Sequence, residues 1–258
     1  MKRLLSFFVL LLILGGLLVP GMYFFYARDL PDLESPTVVF KAVKRSIESQ
    51  RQVVAPTGPT GQKLEAYEFA LVPTNKLPAH FVDAIVAVDS CPDYTTSKKD
   101  LPYPKLRRIA KRWLRKEVAG FGPQACQLRY ADQIVLALGV VDAMRASIGD
   151  SKVLDALSVD ELLSYRISTV YFGEGVIGPQ AAATKLFKKD LEKLDLGQVG
   201  ELVAAEGYFQ MFQRCQNPAK LKMYRDAILD RMEAFRMLGQ AEAKAARARQ
   251  VTCYYKPP

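Results

Sequence analysis

After Lys2 and Arg3 the chain runs without a single charge from Leu4 to Ala27. The core of this run, Leu4-Leu5-Ser6-Phe7-Phe8-Val9-Leu10-Leu11-Leu12-Ile13-Leu14, is almost wholly aliphatic or aromatic. About 20 apolar residues in a helix cross the hydrocarbon of a bilayer, and this run reaches that length. Tyr23, Phe24, Phe25 and Tyr26, near its end, suit a membrane–water interface. A cleaved signal peptide has a shorter apolar region and ends in a small-x-small site. No such site stands out after Val19, so the run reads as an uncleaved anchor. The positive-inside rule then keeps Lys2 and Arg3 in the cytoplasm and places everything after Arg28 outside it.

That placement governs the reading of the bulk charge. The chain has 258 residues and a formal net charge of +9, which points to an anionic partner. Nucleic acid, anionic lipid and pyrophosphate all qualify by charge, and the compartment removes nucleic acid. With 50% hydrophobic and 24% charged residues, the composition is that of one globular core beside an anchor. The four cysteines, Cys91, Cys126, Cys215 and Cys253, allow two disulfides in an oxidising space, with three connectivities open. A zinc site is poorly supported, because no pair has C-x-x-C spacing and His80 is the one histidine. Free buried thiols are the plainest alternative. No metal or cofactor is expected.

Asp29 to Pro36 is a proline-broken juxtamembrane segment. Val38 to Arg51 reads as a strand or a short helix, Ala55 to Gly61 as a turn or loop, and Tyr67 to Pro73 as strand-like. Helical patterns then dominate. Phe81 to Val88 is apolar and expected to be buried, with His80 at a loop or helix start. Lys105 to Val118 is amphipathic, with Leu106, Ile109 and Trp113 at helical spacing. Ala131 to Ile148, Val159 to Thr169 and Leu194 to Phe212 read as helices. A last long helix is expected from Pro218 to Arg249, with the stripe Ile228, Met232, Phe235 and Leu238.

Two segments carry a family resemblance. The first runs from Ser164 through Tyr165-Arg166-Ile167-Ser168-Thr169-Val170-Tyr171-Phe172-Gly173-Glu174-Gly175-Val176-Ile177-Gly178-Pro179-Gln180 to Ala181-Ala182-Ala183. It resembles the late motif of glycosyltransferase family 51, Y-L-N-x-x-Y-F-G-x-x-x-Y-G-I-x-A-A-A. This domain occurs in class A penicillin-binding proteins and in monofunctional peptidoglycan glycosyltransferases. The second segment, Leu77 to Asp89, resembles the family's I-P-x-x-L-x-x-A-x-I-A-x-E-D approach to its active site. The resemblance implies a mainly α, lysozyme-like glycosyltransferase domain with an N-terminal transmembrane helix. The layout is then 1–28 for the cytoplasmic tip and anchor, 29–65 for a juxtamembrane segment and loop, and 66–258 for the glycosyltransferase-like domain with its C-terminal helix and tail. Tyr171, Gly173 and Gly178 would serve as scaffold, the glycines turning the chain sharply between helices.

The catalytic motifs of that family are degenerate here. Its first motif, E-D-x-x-F-x-x-H-x-G, supplies the glutamate taken as general base on the acceptor hydroxyl. In register stands Asp89-Ser90-Cys91-Pro92-Asp93-Tyr94-Thr95-Thr96, so the base would be an aspartate one methylene shorter. Misplacing a base by about 1 Å can cost on the order of a hundredfold. The second motif, G-x-S-T-I-x-Q-Q, is matched only by Gly122-Pro123-Gln124-Ala125-Cys126-Gln127-Leu128, without the Ser-Thr pair. The third, R-K-x-x-E, is missing between Ala131 and Arg145, where Asp142 is the nearest carboxylate. A basic stretch including Arg107, Arg108, Lys111, Arg112 and Arg115 remains beside this region. It suits anionic lipid or lipid-linked pyrophosphate, or else a solvated helix face.

The resemblance therefore implies a membrane-anchored, non-catalytic binding or scaffolding subunit of cell-wall assembly. Its place would be the bacterial inner membrane, single-pass, with the C-terminal domain in the periplasm. Its partners would be membrane lipids and a lipid-linked peptidoglycan precursor, a glycan strand or a cell-wall synthase. The alternative is an active peptidoglycan glycosyltransferase using Asp89 as base. A purely structural envelope protein is a third reading. The family's fold brings the first two motifs together, which implies a Cys91–Cys126 disulfide. A Cys215–Cys253 bond would clip the tail onto the helix before Asn217.

Overall fold

The computed structural model describes residues 21–33, 35–54, 71–92, 94, 123–173, 176–214 and 217–252. Among these, helix α1 covers 21–27 and α2 Pro36–Val54. A 3-10 turn, Thr74–Lys76, precedes α3, Ala79–Val88. Then come α4, Pro123–Ala137, α5, Ala143–Ala156, and α6, Val159–Ser168. A short antiparallel pair follows, β1 Tyr171–Gly173 and β2 Val176–Ile177, with Tyr171 opposite Ile177. The chain continues as α7, Pro179–Phe187, a 3-10 turn at Leu191–Lys193, α8, Leu196–Arg214, α9, Pro218–Ala234, and α10, Gln240–Ala248. The fold is mainly helical, as the resemblance implies.

The apolar segment after Pro78 becomes the central helix. Phe81, Ala84, Ile85, Val86 and Ala87 of α3 are buried, and α3 packs on α8 and α9. On the other side, α4 packs on α5 and α6. Helix α2 lies against α4 and contributes Val39 and Val43 to the same core. The segment Val38 to Arg51, open between strand and helix in the sequence, is thus helical. Leu71 to Pro73 forms no strand; its Val72 amide donates to the Ser168 hydroxyl of α6 at 3.0 Å.

Helix ends explain where the sequence pattern misleads. Ala131 to Ile148 is not one helix, because α4 closes in a Schellman turn at Gly139. The Gly139 amide donates to Leu136 O at 2.9 Å and the Val140 amide to Val135 O at 3.3 Å. Gly139 has φ +77°, a conformation that suits glycine. Asp142 then starts α5, its carboxylate accepting from the Met144 and Arg145 amides at 3.1 and 2.9 Å. Pro218 to Arg249 is likewise two helices. Arg236, at φ +59°, forms the same turn, with its amide on Glu233 O and that of Met237 on Met232 O, both at 2.9 Å. The expected stripe survives the break, with Ile228, Met232 and Leu238 buried and Phe235 half-buried.

The second break lets α10 fold back onto α8 and α9. Arg225, fully buried on α9, holds it there by donating to Arg249 O at 2.8 Å and Arg247 O at 2.9 Å. These carbonyls lie at the end of α10, where a cation also opposes the helix dipole. The close approach of α8 to Arg225 requires Gly200: a Cβ there would sit 3.0 Å from Arg225 Cγ. Glu201, also buried, lies 3.6 Å from the Arg225 guanidinium and accepts from the Thr252 amide at 3.0 Å.

Burial outweighs those partners and pushes the Glu201 carboxyl up to about 7. A raised carboxyl binds its proton more tightly folded than unfolded. Its stabilisation is complete below the ordinary carboxyl range and is lost as pH rises toward 7. Glu201→Gln should therefore gain stability relative to the parent protein across that interval, by an amount on the order of 1–3 kcal/mol. Urea denaturation of both proteins at several pH values checks this. A difference that does not change with pH would contradict it.

Candidate functional site

The site lies where α3 ends. Asp89 caps the helix, and Ser90 turns the chain in the left-handed region at φ +57°. The Ser90 amide donates to Ala87 O at 3.1 Å and the Cys91 amide to Val86 O at 2.9 Å, a third Schellman turn. This turn delivers Cys91 to α4, where it is joined to Cys126 in a disulfide with Cα atoms 5.8 Å apart. The implied pairing of the first two motifs is present. Cys215 and Cys253 lie outside the described residues.

The same turn sets the Asp89 carboxylate among three helices. Arg166 of α6 grips it sideways, Nε to Oδ2 at 3.0 Å and Nη2 to Oδ1 at 3.0 Å. The Tyr130 hydroxyl of α4 donates to Oδ2 at 3.0 Å. Both carboxylate oxygens are therefore taken. Arg166 also reaches Glu206 of α8, Nη2 to Oε2 at 2.9 Å. Outside this cluster, Arg129 donates to Asp89 O at 2.8 Å and Arg231 to Val88 O at 3.2 Å, satisfying carbonyls at the end of α3.

Burial shapes the ionisation of the cluster. It works against the Arg166 charge, but the carboxylates of Asp89 and Glu206 outweigh it and raise the net affinity for the proton. Burial, reinforced by the Asp89 charge and hydrogen bond, lifts the Tyr130 phenol well above its ordinary range. Tyr130 thus stays a donor and Arg166 stays a cation. Chemically, this is an ion cluster whose carboxylate accepts from two donor groups.

Other expected site residues fall elsewhere. Asp142 is the N-cap of α5, and Gln127 is buried. His80 is exposed in the first turn of α3. In the late motif, Gly178 takes φ +82° as the N-cap of α7, and Ala182 and Ala183 are fully buried. Tyr171 and Gly173 form β1, while Gly175 lies outside the described residues. The basic stretch with Arg107, Arg108, Lys111, Arg112 and Arg115 and the residue Trp113 also lie outside them. Among the described residues no group of acidic, histidine or cysteine side chains is placed to hold a metal. Tyr130, Arg166 and Glu206 were not singled out in the sequence. A charge inside an apolar helical pattern was the available signal for Arg166 and Glu206.

The mainly helical fold agrees with that of a lysozyme-like transglycosylase domain. The family described as transglycosylase matches residues 144–233, so this part of the chain is similar to the domain of glycosyltransferase family 51. It is 23% identical over 256 residues to penicillin-binding protein 1A of Vibrio cholerae serotype O1, covering 98% of this chain and 30% of the relative. Against penicillin-binding protein 1A of Rickettsia conorii it is 21% identical over 234 residues, covering 88% of this chain and 28% of the relative. Penicillin-binding protein 1F of Bacillus subtilis is 31% identical over 99 residues, 38% of this chain and 14% of the relative. The chain thus spans less than a third of the length of these curated relatives. The matched family range contains the late motif and begins after Asp89 and Cys126.

Two stability effects follow. Asp89→Asn should destabilise the protein by about 3 kcal/mol, because it leaves a buried guanidinium short of its counter-ion. A carboxylate kept for chemistry commonly costs stability, so a neutral or stabilising result in urea denaturation would argue for that role. Reduction, or Cys126→Ser, should cost a further amount of about 3–4 kcal/mol for a ring of this length. Comparing denaturation midpoints with and without reductant measures it.

Proposed function

We propose that this chain is a membrane-anchored, non-catalytic relative of the peptidoglycan glycosyltransferases that acts as a binding or scaffolding subunit in cell-wall assembly. The observation that carries this reading is the bidentate Arg166 grip on Asp89, completed by Tyr130. A general base contributes roughly 10²–10⁴-fold to such a transfer, and preorganised charge on the departing pyrophosphate often contributes more. Asp89 stands at the position of the family base and is engaged in an ion pair. The Ser-Thr and R-K-x-x-E elements are missing from the sequence. The glycosyltransferase-like scaffold remains.

The anchor rests on the uncharged run from Leu4 to Ala27, whose first residues lie outside the described ones. Among the described residues no helix is long and apolar enough to cross a membrane. The proposed setting is a bacterial inner membrane with the domain in the periplasm, and the disulfide agrees with an oxidising space. The basic stretch is the proposed contact for anionic lipid or a lipid-linked precursor. A glycan strand or a cell-wall synthase is the macromolecular partner this scaffold suits.

The test is polymerisation of a lipid-linked disaccharide-peptide by the full-length protein and by Asp89→Asn. Neither protein should make polymer. Precursor binding should persist in the unsubstituted protein and weaken when Arg107, Arg108, Lys111 and Arg112 are replaced by Gln. Robust polymerisation abolished by Asp89→Asn would establish the enzymatic reading instead.

A further inference from the structure

Helix α10 buries Ala243 and Ala246 and no larger side chain of its own. Two methyl groups bring a helix little apolar stabilisation. Gly197 of α8 lets it sit close, since a Cβ there would lie 3.5 Å from Ala246 O. The outer ion pairs, Arg247 with Asp230 at 2.7 Å and Arg249 with Asp195, are in good part exposed, and such pairs contribute little. What remains is a buried polar set beneath the end of the helix and the strap after it, residues 249–252. Arg225 of α9 holds the Arg247 and Arg249 carbonyls, and Glu201 of α8 holds the Thr252 amide. A segment fastened by few apolar contacts opens before the core does.

Within this set Glu201 is poorly provided for as an anion. Its Oε2 accepts from the Thr252 amide at 3.0 Å, while its Oε1 lies 3.6 Å from Arg225 Nη1, too far for a good hydrogen bond. Arg225 is already committed: Nη1 donates to Arg249 O, and Nε and Nη2 donate to Asp226 at 2.9 and 2.8 Å. Asp195, ahead of α8, adds a like charge, which Arg249 of the strap offsets by pairing with it. A buried carboxylate with one hydrogen bond, a shared cation and a like charge nearby is better kept neutral. Water reaches it when the strap moves away.

We propose that α10 and its strap form a proton-sensitive clasp, closed on α8 while Glu201 is protonated and released as Glu201 ionises. The closed clasp binds this proton more tightly than the open one, in line with a carboxyl raised to about 7. Closure is therefore favoured in full below the ordinary carboxyl range and is lost progressively as pH rises toward about 7. The turn at Arg236, between α9 and α10, is where the clasp pivots, so opening leaves α8 and α9 in place. The face it uncovers carries Gly197 and Glu201, about one turn apart on α8.

The experiment is hydrogen–deuterium exchange of the full chain in detergent micelles, read by mass spectrometry and corrected at each pH for the intrinsic amide rate. Protection of residues 240–252 should fall on the order of tenfold between about pH 5.5 and 7 and level off above that, while α4 and α5 keep theirs. Glu201→Gln should keep the clasp protected across the interval. Thr252→Pro, which removes the amide donor at the strap without touching the core, should lower protection of α10 already at about pH 5.5. A flat profile in the unsubstituted protein overturns the clasp, and so does an equal fall in Glu201→Gln. Loss of protection in α4 and α5 together with α10 shows unfolding of the whole domain and overturns a separate clasp. Unchanged protection in Thr252→Pro overturns the part assigned to the strap.

Discussion

A buried arginine needs a counter-ion, and the Arg166 of this chain finds it at the end of the central helix. Removing two charges from water carries a penalty that only good geometry and further hydrogen bonds offset. The bidentate contact with Asp89, the Tyr130 hydroxyl and Glu206 supply both. Because the partners come from α3, α4, α6 and α8, the cluster specifies how these helices meet. Apolar packing of α3 alone would tolerate small rotations; a side-on guanidinium contact does not.

The same junction joins a charged cluster to a scaffold of helices and one short hairpin. The late motif still builds its short hairpin and the glycine-capped α7. A general base must present an oxygen to its substrate; here one oxygen accepts two hydrogen bonds and the other accepts one. The disulfide at Cys91 and Cys126 joins covalently the end of α3 and the start of α4. Paired and hydrogen-bonded in this way, the carboxylate contributes to the stability of the helix junction.

Much of the scaffold was legible in local pattern. The apolar run after Pro78 announced α3, and the Ser158–Glu161 capping box stands at the start of α6. The breaks were harder for different reasons. Gly139 and Asp142 are ordinary stop and start signals, but the apolar residues Ile134, Val135, Leu138, Val140 and Val141 around them masked the stop. Arg236 offered no signal at all, because a non-glycine residue adopts the left-handed turn there. Asp89 was legible as a candidate from its register at the end of the segment Leu77 to Asp89. Its partners were not, since Tyr130 and Arg166 meet Asp89 from positions 41 and 77 residues away in the chain, and no periodicity encodes a tertiary partner.

The Cys91–Cys126 bond also makes a covalent ring of the residues between them. Both ends of that ring are buried in the core. Lengthening such a ring is thermodynamically inexpensive, since each doubling adds only about 0.6 kcal/mol of closure entropy. A peptide bond cut anywhere inside it would leave one molecule, not two. Cleavage there is therefore not enough to separate the end of α3 from α4 unless the disulfide is reduced as well.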